Sequence, residues 1–280
     1  MAAARVILVT GCSSGIGRAT AELAASRGHR VFATARRLES IADLARPGVL
    51  DVLPLDVTDA ASIARALAAV LERSGGLTAL VNNAGYAQYG SVEDVSLSAW
   101  RAQYDVNVFG AVALIQAALP SLREAGGGTI VNVSSVAGKI AIPFAAPYCS
   151  TKHALEAISD SLRVEVAPFG IRVVLVEPGP ISTKFGDRAR AEVTPLLHKP
   201  GPYQAFYVEA ERAMDVDFQR GARPASAVAS VIGRAIEARR PKTRYRGTAM
   251  AKLGITARRV LPDRVLDRAM RGRLKLPKRT

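Results

Sequence analysis

Short apolar runs alternate with longer amphipathic ones through the first two-thirds of the chain. Val6–Thr10, Arg30–Ala35, Val52–Leu55, Leu77–Asn82, Gly128–Ser134 and Ile171–Glu177 are short, apolar and largely β-branched, the signature of strands buried on both faces. The segments between them, near Ile16–Arg27, Leu38–Ala45, Ala60–Arg73, Leu97–Leu122 and Tyr148–Pro168, predict helices. Asp59, Ser62 and Ser96 stand near helix starts as capping side chains. A strand–helix repeat of this length predicts an α/β fold, a doubly wound parallel sheet with helices on both faces.

The pattern changes after Pro178. Pro180–Gly221 is irregular, with Pro195, Pro200 and Pro202, and then helical from Tyr203 to about Arg220. A further helix fits Pro224–Ala238, a last strand fits Thr243–Gly247, and two basic helical segments fit Leu253–Leu261 and Pro262–Leu274. Neither a linker nor an internal repeat divides the chain. The expected organisation is one domain over residues 1–247, with a substrate loop at 180–221, followed by a basic helical C-terminal extension over 248–280.

Composition adds little for the body and much for the tail. Of 280 residues, 49% are hydrophobic and 22% charged, which supports a large core and excludes a disordered chain. The net charge is +14, but 16 basic against 3 acidic residues lie between Arg234 and Thr280, so the rest is nearly neutral. Within Pro262–Leu274, Val265, Leu266, Ala269 and Met270 recur at helical spacing, with Arg264, Arg268, Arg271 and Arg273 in the other directions. Such a helix packs over the substrate mouth of its own domain or on a partner subunit, or lies peripherally on a membrane. No nucleic-acid motif accompanies the charge, so no nucleic-acid partner is expected. The N-terminus lacks the long apolar region of a signal peptide, and no run reaches the roughly 18 apolar residues of a membrane span. Two cysteines, Cys12 and Cys149, make no disulfide framework and read as small packing residues. The expected location is cytoplasmic, peripheral to a membrane if the tail docks there. No His, Cys or carboxylate cluster has metal-ligand spacing.

The candidate chemistry lies at strand ends. The first strand runs into Thr10-Gly11-Cys12-Ser13-Ser14-Gly15-Ile16-Gly17 and then a helix. Such a loop offers backbone N–H groups and a positive helix end to a pyrophosphate. The second strand ends Ala35-Arg36-Arg37, with alanine where NAD sites carry an acid and two cations beyond it; this favours NADP(H) over NAD(H). Asp56-Val57 at the third strand end could hold the adenine edge, and Asn82-Asn83-Ala84-Gly85 ends the fourth. Tyr148 and Lys152 share a helix face at i and i+4, where an ammonium is expected to lower the phenol's pKa. Ser135 ends the fifth strand, and its hydroxyl can bond a substrate oxygen. Asn107 sits mid-helix, where asparagine is unfavourable without a purpose; it could hold a water or kink the helix. A non-catalytic dinucleotide sensor on the same fold remains the alternative reading, and the intact Ser135–Tyr148–Lys152 set with Asn107 argues for catalysis.

These motifs, TGCSSGIG, DV at Asp56, NNAG, the Asn of DVNVFG, Ser134-Ser135, YCSTK and PGPIST, stand in the order and spacing of the short-chain dehydrogenase/reductase family. The chain resembles that family over about residues 5–185, and ATARR with YCSTKHALE resembles its hydroxysteroid and retinol dehydrogenase-like branch. The resemblance implies a Rossmann-type domain with a seven-stranded parallel sheet and hydride transfer between a nicotinamide and a hydrophobic alcohol or ketone, steroid-, retinoid- or lipid-like. It implies Tyr148 as acid/base, with Lys152 lowering its pKa and binding the nicotinamide ribose. It also implies Ser135 on the substrate carbonyl, Asn107 holding a relay water, and Pro178, Gly179, Ile181 and Thr183 at the nicotinamide. Arg36 matches the basic position of NADP-preferring members, although Ser14 stands where many of those carry a second cation. Ile140, Ile142, Pro143, Phe144, Tyr86, Tyr89, Phe185, Tyr203, Phe206 and Tyr207 suit an apolar substrate wall. The expected assembly is a homodimer or homotetramer.

Overall fold

The computed structural model describes residues 4–183, 191, 193–198, 200–246 and 249–274. Its strands are β1 (Val6–Val9), β2 (Arg30–Ala35), β3 (Leu50–Pro54), β4 (Ala79–Asn82), β5 (Gly128–Val133), β6 (Ile171–Glu177), β7 (Ile181–Ser182), β8 (Arg223–Pro224) and β9 (Arg244–Arg246). The helices are α1 (Gly15–Ser26), α2 (Ala60–Ser74), α3 (Leu97–Tyr104), α4 (Gly110–Glu124), α5 (Ala146–Glu165), α6 (Gln204–Gly221), α7 (Ala225–Glu237), α8 (Ala249–Val260) and α9 (Asp263–Arg273). Seven strands form one parallel sheet in the order β3-β2-β1-β4-β5-β6-β9, and β7 pairs with β8 outside it.

Alternate residues of a strand point to opposite faces, and here both faces are covered. Ile7, Val9, Val31, Ala33, Val131 and Val174 join Ala21 and Ala24 of α1 and Val228 and Ile232 of α7 in one core layer. Leu8, Phe32, Leu80 and Ile130 face the other way, onto Ile63 and Val70 of α2, Leu114 and Ala118 of α4 and Leu162 of α5. The strand order turns back at β1, whose neighbours are β2 and β4. The loops after β1 and β4 therefore diverge and leave a crevice at the C-terminal ends of the strands.

Several elements depart from the sequence pattern, among them β4, which starts at Ala79 and not at Leu77. Leu38–Ala45 forms two isolated 3-10 turns, Leu38–Ser40 and Ala42–Leu44, instead of a helix. The segment buries only Ile41 and Leu44 and meets Pro47-Gly48 at once, too little to offset helix nucleation. Strand β3 starts two residues early, at Leu50, because Arg30 forms an ion pair with Asp51 and satisfies its carboxylate on this edge strand. The helix read over Leu97–Leu122 is interrupted by a π-turn at Asp105–Phe109 centred on Asn107. The last strand spans Arg244–Arg246; Gly247 of its sequence reading lies outside the described residues.

The C-terminal extension returns across the sheet's C-terminal edge. Ile255 of α8 and Leu274 after α9 are buried. A Cβ on Gly254 would lie 2.9 Å from Ile140 Cδ1, so α8 lies directly on the loop that follows β5. Phe185 of the substrate wall, Thr248 and residues 275–280 lie outside the described residues.

Candidate active site

One cavity of about 900 Å³ runs along the strand ends from the glycine loop to the extension. At its first end, Gly11, Ser13, Ser14, Gly15 and Ile16 form the wall. Gly15 has φ +61°, and a Cβ there would come within 3.0 Å of Thr183 Cγ2. Gly17 stands behind the wall: a Cβ would lie 2.4 Å from Gly11 O, so only glycine lets α1 meet the loop this closely. Helix α1 begins with no side-chain cap and no acid in its first turn, so its unpaired N–H groups and positive dipole end favour an anion. A dinucleotide's pyrophosphate fits this cradle.

Asn83 holds the loop from below. Its Nδ2 donates to Thr10 O at 2.9 Å and Gly11 O at 3.2 Å, while the N–H groups of Asn83 and Ala84 donate to Thr10 Oγ1. Asn83, Ala84 and Gly85 all reach the cavity. Ala35 and Arg36 form the wall at the end of β2. Arg37 is not at the wall; it is exposed and opens the 3-10 turn at Leu38. Asp56 and Val57 reach the cavity, and Asp56 Oδ1 accepts from the N–H and hydroxyl of Thr58 at 2.9 and 2.8 Å.

At the other end, Ser135, Tyr148 and Lys152 converge. The Ser135 hydroxyl bonds the Tyr148 phenol and accepts from Ala137 N at 3.1 Å. Lys152 Nζ donates to Val133 O at 2.8 Å and lies 5.8 Å from the Tyr148 ring centre. Pro178, Gly179, Ile181 and Thr183 close this side, and Val136 N donates to Pro178 O at 3.0 Å. The Ser135 loop sits hard against α5: a Cβ on Gly138 would lie 2.7 Å from Ser134 Oγ and 3.0 Å from Lys152 O.

The electrostatics here correct one expectation from the sequence. Burial pushes the Tyr148 phenol up to about 12, against the lowering effect of the Ser135 hydroxyl. Lys152 does not bring it down. Burial pushes the ammonium itself down to about 8, with the charge of Glu156 acting the other way. At neutral pH the phenol and the ammonium therefore both hold their protons.

Asn107 lies behind the wall, not on it. The side chain pairs with the backbone of Tyr86, accepting from Tyr86 N at 3.1 Å and donating to Tyr86 O at 2.9 Å. Its Nδ2 also lies 3.2 Å from Thr151 Oγ1. The π-turn thus aims one amide at the strand-end loop, which explains asparagine in mid-helix. Burial raises the pKa of Cys12 to about 12 and also raises that of Cys149, as befits packing residues.

The wall beyond Tyr148 is apolar: Tyr86, Tyr89, Ile140, Ile142, Pro143, Phe144 and Tyr207. Phe144 adopts φ +63°, a costly conformation for a bulky residue. Its ring is held 5.4 Å from Tyr207, 6.3 Å from Tyr203 and 6.4 Å from Phe206. Tyr203 and Phe206 thus back the wall without reaching the cavity. Tyr207 accepts from Ser91 N at 3.0 Å and donates to Asp94, which pins α6 to the loop before α3.

Leu253, Gly254, Met270, Arg273 and Leu274 join the cavity wall, so the extension packs over the substrate mouth, one of the placements that its sequence suggested. One feature escaped the sequence reading. Behind α5 lies a buried ion cluster. Glu156 meets Lys139 at 2.7 Å and Arg244 at 3.1 Å, while Arg244 also meets Asp160 at 2.6 Å. Glu177, fully buried, lies 3.2 Å from Arg244 and 3.4 Å from Arg246 without hydrogen-bond geometry. Burial raises its pKa, and the charge of Glu156 adds to this.

The sequence profile of the short chain dehydrogenase family matches residues 5–194. An NADPH-dependent 3-dehydrocapnine reductase of Ornithobacterium rhinotracheale is 36% identical over 94% of this chain and 95% of its own. The 17-beta-hydroxysteroid dehydrogenase type 1 of Homo sapiens is 36% identical over 86% of this chain and 76% of its own. Among solved structures, a short-chain dehydrogenase/reductase from Burkholderia phymatum in complex with NAD superposes with a TM-score of 0.80 at 26% identity, covering 94% of this chain and 95% of the other. A short chain dehydrogenase from Burkholderia cenocepacia in complex with NADP superposes with a TM-score of 0.74 at 26% identity, covering 98% of each. The family match spans Gly11 to Thr183, the stretch that supplies the glycine loop and the Ser135, Tyr148 and Lys152 end of the cavity, and the likeness runs nearly end to end: the chain belongs to the short-chain dehydrogenase family and is an oxidoreductase of its Rossmann-type fold.

Proposed function

We propose that the protein reduces a hydrophobic ketone to its secondary alcohol with NADPH, Tyr148 donating the proton. The observation that carries this reading is the convergence of Ser135, Tyr148 and Lys152 where the glycine-loop cavity meets an apolar wall. The nicotinamide, when bound, supplies the hydride to the carbonyl carbon. Ser135 orients the carbonyl oxygen through its hydroxyl. Tyr148, buried and protonated at neutral pH, passes its proton to that oxygen as charge develops there. Lys152 braces the Tyr148 end of the site and has its ammonium in reach of a ribose. Asn107 acts from behind, by fixing the Tyr86 loop.

The glycine loop, with Ser13 and Ser14 at the start of α1, holds the pyrophosphate. Gly17 and Asn83 keep that loop in shape. Asp56 and Val57 flank the adenine, and Pro178, Gly179, Ile181 and Thr183 contact the nicotinamide. Arg36 takes the 2′-phosphate; Ala35 leaves no acid to repel it. The NADPH dependence of the 3-dehydrocapnine reductase supports this preference. The walls from Tyr86 to Tyr207 support an apolar substrate.

A panel of hydrophobic ketones assayed with NADPH and with NADH tests the proposal. Turnover should be faster with NADPH, and Tyr148→Phe should lower kcat by about 10²–10⁴-fold while leaving NADPH binding intact. A Tyr148→Phe enzyme keeping more than about a tenth of its activity would remove the tyrosine from the mechanism.

A further inference from the structure

We propose that the outer face of α8 and α9 docks the protein on an anionic lipid bilayer, with the substrate mouth turned toward the lipid. Helix α8 puts Ile255 and Gly254 against the protein, yet beside Thr256, Arg258 and Arg259 its solvent side also carries large aliphatic residues. Leu253 and Val260, seven residues apart and so on one face, are 73% and 71% exposed. Leu261 and Val265 extend the exposed aliphatic strip across the junction into α9. The strip is continuous with the cavity, because Leu253 belongs to both.

Cations surround the strip. Arg259, Arg264, Arg268 and Arg271 are exposed, while Arg258 is paired with Asp263 at 2.7 Å. Residues 249–274 hold seven basic and two acidic side chains, a net charge of +5. Charge decides what covers this face. A second copy of the same face would bring like charges together. Nucleic acid would answer the arginines and leave the aliphatic strip in water. An anionic bilayer answers both: headgroups attract the cations, and the strip enters the acyl boundary. The proposal rests on the hydrophobic-substrate reading only for its purpose, since a lipid-dissolved ketone would then meet the mouth directly; binding itself is measured without turnover.

The test is co-sedimentation of the full-length protein with vesicles of phosphatidylcholine alone or with one-third phosphatidylglycerol, at low and high salt. Binding is expected only to the anionic vesicles, with a loss of more than about tenfold at high salt. Val260→Ser with Val265→Ser, and separately Arg264→Glu with Arg268→Glu, should each weaken binding by more than about tenfold. None of the four lines the cavity, so turnover of a water-soluble ketone should stay unchanged in both pairs, which also reports that they fold. Failure to sediment with anionic vesicles at low salt overturns the proposal. So does full binding by the valine pair, or a DNA duplex that competes as well as the vesicles do. A protein that binds vesicles but turns over no ketone upholds docking and counts against the catalytic reading alone.

Discussion

Arg36→Ala isolates the choice between the two cofactors. Arg36 is at the cavity wall and Arg37 is not, so one guanidinium is available to a 2′-phosphate despite two adjacent arginines. A hydrogen bond to a charged group contributes about 1.5–3 kcal/mol. Arg36 is exposed, and water and salt screen exposed charges, so the lower end, about 1.5 kcal/mol, applies. That corresponds to roughly a tenfold loss of NADPH affinity. NADH has no 2′-phosphate and should bind the variant as it binds the parent. Arg37→Ala should leave both affinities within about twofold, and the double variant should match Arg36→Ala alone. Fluorescence titration of NADPH and NADH against the parent and all three variants, at low and physiological salt, measures each quantity. Equal losses for the two cofactors on Arg36→Ala, or a larger loss from Arg37→Ala, would refute the argument.

Lys152→Met should abolish turnover yet raise thermal stability at pH 7. The buried ammonium titrates near 8 instead of 10.5, so folding disfavours its charged form by on the order of 3 kcal/mol below pH 8, a penalty that fades between 8 and 10.5. The lost bond to Val133 O gives back about 1 kcal/mol, and melts at pH 7 and pH 10.5 should show the variant's advantage shrinking with pH. Gly138→Val places a side chain into Ser134 Oγ and the Lys152 carbonyl, so kcat should fall at least about tenfold through displacement of Ser135 while the NADPH Kd holds; unchanged kcat counts against Ser135. Asn107→Ala removes the amide that bonds the N–H of Tyr86, whose C=O keeps Gln103 Nε2 at 2.8 Å, and should cost about 1–3 kcal/mol in urea unfolding; a loss well below about 1 kcal/mol would show that water replaces the amide.

The sheet was legible because strands covered on both faces have no polar phase. Runs such as Val173–Val176 are apolar along their length, as buried parallel strands are. The glycine loop, Arg36, Ser135, Tyr148 and Lys152 were legible as residue types at strand ends, where the fold gathers them. What escaped depends on neighbours distant in sequence. Leu38–Ala45 has a helical composition but too little to pack against. The partner of Asn107 is the backbone of Tyr86, which carries no signal in its letter. The Tyr148–Lys152 spacing is legible as proximity, but spacing does not reveal that burial raises the phenol's pKa and lowers the ammonium's. Glu177 ends an apolar run and reads as solvated; only β9 shows why a carboxylate is tolerated there.

The cluster behind α5 determines where this chain can be cut. Arg244 and Arg246 lie in β9, at the root of the extension, yet their partners Glu156, Asp160 and Glu177 belong to the frame of the active site. A truncation ending after Arg246 removes α8 and α9 and leaves every one of these ion pairs in place. A truncation a few residues earlier strands carboxylates beneath the helix that carries Tyr148 and Lys152, and breaking a buried pair in this way costs about 3–5 kcal/mol. The functional seam therefore falls just past β9. Grafts, tags or exchanged tails joined beyond that point address the cavity mouth alone, while any joined before it disturb the site itself.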